Sequence, residues 1–334
     1  MRLEGRSLEA LVAALRESPG LRSKREIQAA AAAFAVNELG VLNGDDAAAL
    51  PDPDGGYTLM AAEGMQPSFV QREPFFAGLC AVLCNINDIA AMGGRPRALV
   101  DVVLAGSDRA HTALVYEGLR AGAELFQVPI VGGHSGRSAG APCLSAAVLG
   151  KAQRLITSFD ARPGQVLMVC IDLGGQFRAD QPHFDGLTGC DPTLARARLA
   201  VLPQLAEAGL VGAGKDISMA GLLGTLLMLL ETSGCGARVD LEAVPAPACA
   251  LAEPQRWLET FPSFGFVLSV EPEHVAAVRE RFAQVSVTAA VIGTVEATRT
   301  LDIACGSQRA RLWDLASDSL MGFDQRAVRP APPR

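Results

Sequence analysis

The sequence predicts an α+β protein of two domains, and three observations carry that prediction. At 334 residues the chain is longer than one hydrophobic core usually serves. Hydrophobic residues make up 49% of it and charged residues 19%, a balance that suits compact globular packing. Stretches of strand and helix character follow one another in both halves, so paired strands alternate with crossover helices. The expected division is an N-terminal domain over 1–157, a C-terminal α/β domain over 158–324, and a tail over 325–334. That tail, QRAVRPAPPR, is Pro/Arg-rich and expected to be disordered.

Taken in order, residues 8–17 and 24–39 read as helices, the second alanine-rich and closing at Gly40. Ser23 is its expected N-cap, with Glu26 three residues on as a capping box. An apolar strand end, the acidic turn GDD (44–46) and a Pro/Asp/Gly turn at 51–56 follow. A strand over 57–65 carries Glu63 near its end. The helix 73–92 has apolar residues at 79, 82, 83, 86, 89, 90 and 92, a helical period, and a stop at Gly93-Gly94 before Pro96. A strand over 98–106, a helix over 108–126, a strand VPIVGG with a turn at His134-Ser135-Gly136, and a strand over 142–150 finish the first half. In the second half strands are expected at 166–175, 264–270 and 288–295. Helices are expected at 191–209, 217–232, 254–260 and 272–284, with GLVGAGKDIS read as a loop.

Composition excludes several functions. A net charge of −7 argues against a nucleic-acid binder held by phosphate contacts, and 5% aromatic residues against a stacking platform for single strands. No uninterrupted run of eighteen apolar residues predicts a membrane span, and MRLEGRSLEA does not read as a signal peptide. Eight cysteines are scattered without a CxxC pair, which suits small core residues in a reducing, cytoplasmic compartment rather than a zinc or iron–sulfur site.

The chemistry-bearing residues are acids. Asn85, Asn87 and Asp88 interrupt an otherwise apolar helix, and a buried carboxylate there costs several kcal/mol unless a cation or donors meet it. An exposed stripe or a helix cap is the alternative. Asp45 and Asp46 follow Gly44, Glu63 stands at a strand end, and Asp216 precedes an apolar helix; the alternatives are a solvated turn for the GDD pair and a helix cap for Asp216. Magnesium takes oxygen ligands and is shared between a few carboxylates and substrate phosphates, so converging acids would suit two such ions on a triphosphate. Lys24 and Arg25 are candidate mobile phosphate ligands. Gly132 and Gly133 allow a ligand close to the backbone, with His134 as donor or base. Two motifs fail. Gly209–Lys215 has Walker A spacing, but Asp216 stands where Ser or Thr should be and no strand leads into it. GHSG (133–136) lacks the second glycine of a nucleophile elbow, since Arg137 takes its place.

In the order GDDAAAL (44–50), NDIAAMGGRP (87–96), VGGHS (131–135) and DISMAGLLGTLLMLLETSGCGARVDLEAVP (216–245), the chain resembles the aminoimidazole ribonucleotide synthetase superfamily. That superfamily includes thiamin-monophosphate kinase, selenophosphate synthetase and a hydrogenase-maturation dehydratase. The resemblance implies a two-domain AIR-synthetase-like architecture whose N-terminal sheets pair across a homodimer, binding ATP and Mg2+. It puts Asp45, Asp46, Asp88 and Asp216 on the family's metal-binding acids, with Glu63 a further candidate. Asn87, Gly132, Gly133, Ser135 and Lys24 are expected at the cofactor, and Asp88, His134 and Asp216 in catalysis. The chain departs from its best-known relatives: no cysteine precedes Cys80, His134 stands where the kinase has Asp, and Ala62-Glu63 replaces a Thr-Asp pair. It looks most like a separate branch, the sll0787 type. The expected activity is ATP- and magnesium-dependent phosphorylation or activation of an oxygen of a small-molecule substrate. The alternative is a catalytically reduced nucleotide-binding partner protein of a biosynthetic complex.

Overall fold

The computed structural model describes residues 1, 3, 5–34, 41–178 and 182–323. The expected tail at 325–334, and the end of the expected helix 24–39 with Gly40, lie outside them. The chain opens with α1 (Leu8–Arg16), α2 (Pro19–Lys24) and α3 (Ile27–Phe34). Next come β1 (Ala48–Pro51), β2 (Tyr57–Met65), α4 (Pro67–Arg72), α5 (Pro74–Ala91), β3 (Arg95–Ala105), α6 (Arg109–Phe126), β4 (Ile130–Arg137) and β5 (Cys143–Ala152). After them run β6 (Val166–Ile171), β7 (Gln176–Phe177), β8 (His183–Asp185), α7 (Pro192–Glu207), β9 (Ala213–Asp216), α8 (Gly221–Ser233) and β10 (Gly236–Asp240). The last elements are α9 (Pro254–Glu259), β11 (Phe261–Pro262), β12 (Gly265–Val270), α10 (Val275–Ala283), β13 (Thr288–Glu296), β14 (Thr300–Cys305) and β15 (Gln308–Asp314). The class is α+β.

Two compact units are built from this chain. One contains Asp46–Leu155 and Cys190–Glu207; the other contains Met1–Asp45, Ile156–Gly189 and the segment from Ala208 onward. A crossing at Leu155–Ile156 falls beside the expected boundary at 157/158. The first 45 residues and α7 each group with the unit that the linear division does not give them.

In the first unit a five-stranded sheet runs β1-β2-β5-β3-β4, antiparallel except for β3 and β4. The β3–α6–β4 segment is the crossover that a parallel pair requires. One face is covered by α5, whose Ile89 side chain reaches Gly150 of β5 and Gly94. Helix α5 in turn crosses α6 at glycines. A Cβ on Gly118 would stand 1.9 Å from the Phe75 carbonyl oxygen, and one on Gly78 would stand 2.3 Å from that of Val115. Backbone contact of this kind explains how an 18-residue helix is buried on nearly every side. By length and composition α5 is also the one described helix apolar enough to cross a membrane, but 83% of that stretch is buried within the protein. The opposite face of the sheet is bare: Met60, Val100, Val102 and Leu149 are each 40–53% exposed.

The second unit holds a seven-stranded sheet, β15-β14-β10-β13-β6-β12-β9, and a small three-stranded one, β11-β8-β7. Its core gathers Leu8, Leu11 and Leu15 of α1, the apolar face of α8, and inward residues of β6, β10, β12 and β14. Ser18 caps α2: its hydroxyl accepts the Leu21 N–H, and Pro19 takes the first helical position, where no N–H is needed. Helix α2 ends at Lys24 and α3 starts at Ile27, so Ser23, the expected cap of the helix 24–39, lies inside α2. The Ser23 hydroxyl donates to the Gly20 carbonyl.

Two expected irregular stretches are strands. The run His134-Ser135-Gly136 continues β4, because β3 offers a ladder as far as Ala105 opposite Arg137. GKD is the end of β9, antiparallel to β12, with Asp216 opposite Phe266. Helix α8 therefore begins only at Gly221, and Asp216 does not cap it. Lys215 is buried in this edge strand, so the Walker-like spacing forms no loop over a helix start.

Candidate functional site

Helix α5 starts at Pro74 and stays helical through Asn85-Ile86-Asn87-Asp88 because alanines and large apolar residues surround those polar positions. All three polar side chains are buried, Asp88 to 6% exposure. Asn85 turns back on its own helix and donates to the Ala81 carbonyl. Asp88 is met by the acidic turn ahead of β1. Carboxylate oxygens of Asp46, which is half-buried, and Asp88 lie within 4.8 Å of each other. Two ionised carboxylates this close repel in a partly desolvated setting. All-oxygen donors in that arrangement fit a hard divalent cation such as Mg2+, which neutralises them.

The neighbouring Asp45, which belongs to the second unit, is engaged differently: its Oδ2 accepts the Ser158 N–H of that same unit at 3.0 Å. Glu63 is half-buried on β2, on the Leu59 side of the sheet, and its backbone carbonyl accepts the Ser145 hydroxyl at 2.9 Å. Asp216, buried at the end of β9, belongs to the second unit, and Lys24 ends α2 there. Asn87 lies beside Asp88 on α5.

The glycine-rich motif is strand rather than loop, so its side chains alternate across the sheet. Gly132 and His134 pair with Val100 and Val102 and share their bare face, where His134 is exposed. A Cβ on Gly132 would meet nothing closer than 3.9 Å. Gly133 and Ser135 face the helices. The Ser135 hydroxyl lies 2.8 Å from the Tyr116 hydroxyl of α6. At Gly133 a Cβ would stand 2.5 Å from the Asp101 carbonyl oxygen and 3.0 Å from its carboxyl group. Gly133 is therefore glycine because Asp101 packs against it.

Asp101 is the residue that reading the motifs passes over. It is the one acid in the strand run ALVDVVLAG, and a period of two from the buried Leu99 and Val103 places it on the covered face. Its carboxyl is pushed above the usual carboxylate range by burial.

Comparison with known proteins agrees with this architecture. Residues 44–152 match the AIR synthase related protein N-terminal domain, and residues 162–306 match the C-terminal domain of the same family. Synechocystis protein sll0787 is 42% identical over 94% of this chain and 98% of its own length. A thiamine-monophosphate kinase of Synechococcus elongatus is 29% identical over 75% of this chain and 83% of its own. Among solved structures, T. maritima PurL complexed with ADP superposes with a TM-score of 0.68 at 21% identity, over 80% of this chain and 45% of that one. The chain spans about half the length of the PurL chains it matches. AaThiL complexed with AMPPCP and TMP gives a TM-score of 0.66 at 16% identity, over 86% of this chain and 97% of that one. At these identities the structural likeness concerns the fold.

Proposed function

The chain belongs to the AIR synthase related family, and from that premise we propose that it is an ATP- and Mg2+-dependent enzyme that phosphorylates or activates an oxygen of a small molecule. The observation that carries this reading is the approach of Asp46 and buried Asp88 to within 4.8 Å, an oxygen-only donor pair that suits magnesium. Relatives named thiamine-monophosphate kinase and selenide, water dikinase support the ATP-dependent class.

In this reading Asp46 and Asp88 hold the metal. Asp45, Glu63 and Asp216 are proposed as further ligands on the strength of their motifs. When bound, magnesium neutralises phosphate charge and aligns the transferring group. Asp88 supplies a fixed, desolvated negative charge on a rigid helix. Asn87 and the backbone of Gly132, Gly133 and Ser135 are proposed to meet the nucleotide, with Lys24 as a mobile counter-charge. His134 is exposed, and among the described residues nothing bonds its ring nitrogens, so they can orient an acceptor hydroxyl or take its proton. Positioning and charge neutralisation are sufficient for phosphoryl transfer, so no covalent nucleophile is invoked.

A homodimer is part of the proposal. The bare sheet face with Met60, Val100, Val102 and Leu149 is an apolar surface of the kind that marks a protein interface. A reducing, cytoplasmic setting fits the eight cysteines, all of which are free thiols.

The test is to incubate the full chain with ATP, Mg2+ and fractionated small-molecule extract, following ADP release and a new phosphorylated mass. ADP formation that depends on one fraction supports the enzyme. Tight Mg·ATP binding without turnover in any fraction, accompanied by a stable protein partner, favours the catalytically reduced reading instead.

A further inference from the structure

A cavity of about 570 Å³ opens in the first unit between the exposed flank of α6 and the strands β3 and β4. Tyr116, Arg120, Ala123 and Glu124 line one side at helical spacing, while Asp101 and Ile130 line the other. Asp101 is half-buried, and among the described residues no group donates a hydrogen bond to its carboxylate or pairs with it. Among the described lining residues the one cation is Arg120, whose Nη1 pairs with Glu124 Oε1 at 2.8 Å and not with Asp101. Counting Asp101, Arg120 and Glu124, the lining carries a formal net charge of −1. The Tyr116 hydroxyl is held by Ser135 at 2.8 Å, which orients it on the wall.

We propose that this cavity is a binding site for a small organic cation, a protonated amine or amidine on an apolar or aromatic body, with Asp101 as its counter-ion. A partly desolvated carboxylate is stabilised by a cation brought to it, and the size matches the range of small-molecule pockets. Ala123, Leu119 and Ile130 supply the apolar wall against which the body of such a ligand packs. An anionic group would meet the Asp101 carboxylate instead, which disfavours phosphate at that end of the cavity. The site stands apart from the Asp46–Asp88 pair and does not rest on the nucleotide reading.

Calorimetry and thermal unfolding of the full chain with benzamidine, neutral benzamide and anionic benzoate at equal millimolar concentration test this without nucleotide or metal. Benzamidine is expected to bind saturably and raise the unfolding midpoint, with the other two about tenfold weaker or more. Asp101→Asn is expected to remove that selectivity while circular dichroism stays unchanged. Ala123→Phe, which fills the cavity from the helix side, is expected to abolish binding and decides the matter if Asp101→Asn fails to fold. No saturable binding of benzamidine to the wild type, or undiminished binding in either variant, overturns the assignment.

Discussion

Asp46 and Asp88 present carboxylate oxygens within 4.8 Å of each other, one from the turn before a strand and one from the middle of a buried helix. On the proposed metal reading, the repulsion between them is relieved when a divalent cation binds. Asp88→Asn is therefore expected to raise the unfolding midpoint without magnesium and to abolish the further rise given by Mg·ATP. A ligand present at a hundredfold its Kd stabilises by about 2.7 kcal/mol, which sets the size of the lost effect. Unchanged Mg·ATP affinity of Asp88→Asn in calorimetry would sink the metal assignment.

Gly133 and Gly132 are adjacent and structurally unequal. At Gly133 an added Cβ runs into the Asp101 backbone oxygen at 2.5 Å, whereas at Gly132 the nearest atom is 3.9 Å away. Gly133→Ala is expected to cost about 1–3 kcal/mol in denaturant melts. Gly132→Ala is expected to stay within about 0.5 kcal/mol of wild type, and equal losses at both positions would contradict the packing described.

The Asp101 carboxyl is held above its ordinary value by burial. The charged and titratable groups facing it are Tyr116, Arg120 and Glu124 of α6. A carboxyl raised in the folded state ionises first in the unfolded chain. Stability therefore falls as pH rises from about 3.8 to the folded-state value, then stays level. The difference curve between Asp101→Asn and wild type should accordingly rise across that window in favour of the variant. A flat difference from pH 3 to 7, about the carboxylate range, would show that Asp101 is solvated.

Met60 and Val102 stand on the bare face of the five-stranded sheet, 53% and 40% exposed. Charges there leave the unit's own core untouched but oppose burial between two copies. On the proposed homodimer, the wild type is expected to run as a dimer in light scattering and the double variant Met60→Glu/Val102→Glu as a monomer. A dimer that persists in the variant points to another surface.

Glu231 of α8 is buried and accepts the N–H groups of Leu320 and Met321 and the Ser319 hydroxyl, at 2.8, 2.7 and 2.6 Å. Glu231→Ala leaves three donors without an acceptor and is expected to destabilise by about 3 kcal/mol, with early proteolysis near Leu320. Wild-type resistance in the variant would mean that the 319–322 segment is held by its apolar contacts.

Regular periodicity made much of the fold legible in advance. The strand 57–65 and the helix ending at 126 appear where alternation and helical spacing run unbroken. His134–Gly136 and Gly214–Asp216 did not read as strands, because a glycine-rich segment becomes one when a partner backbone lies alongside, and the partners β3 and β12 are distant in sequence. Asp88 was legible as a candidate ligand from its apolar surroundings alone. Asp101 was not, since a single acid in an apolar strand has no motif.

Local sequence thus determined the regularly patterned helices and strands and marked Asp88 as out of place in an apolar helix, because both depend on residues a few positions apart. Tertiary structure alone decided that Asp46 meets Asp88, that Asp45 instead receives the Ser158 amide, and that Asp101 abuts Gly133 over a cavity. Those outcomes follow from chain crossings and strand pairings between remote segments, and a carboxylate's chemistry depends on whatever such pairings bring beside it.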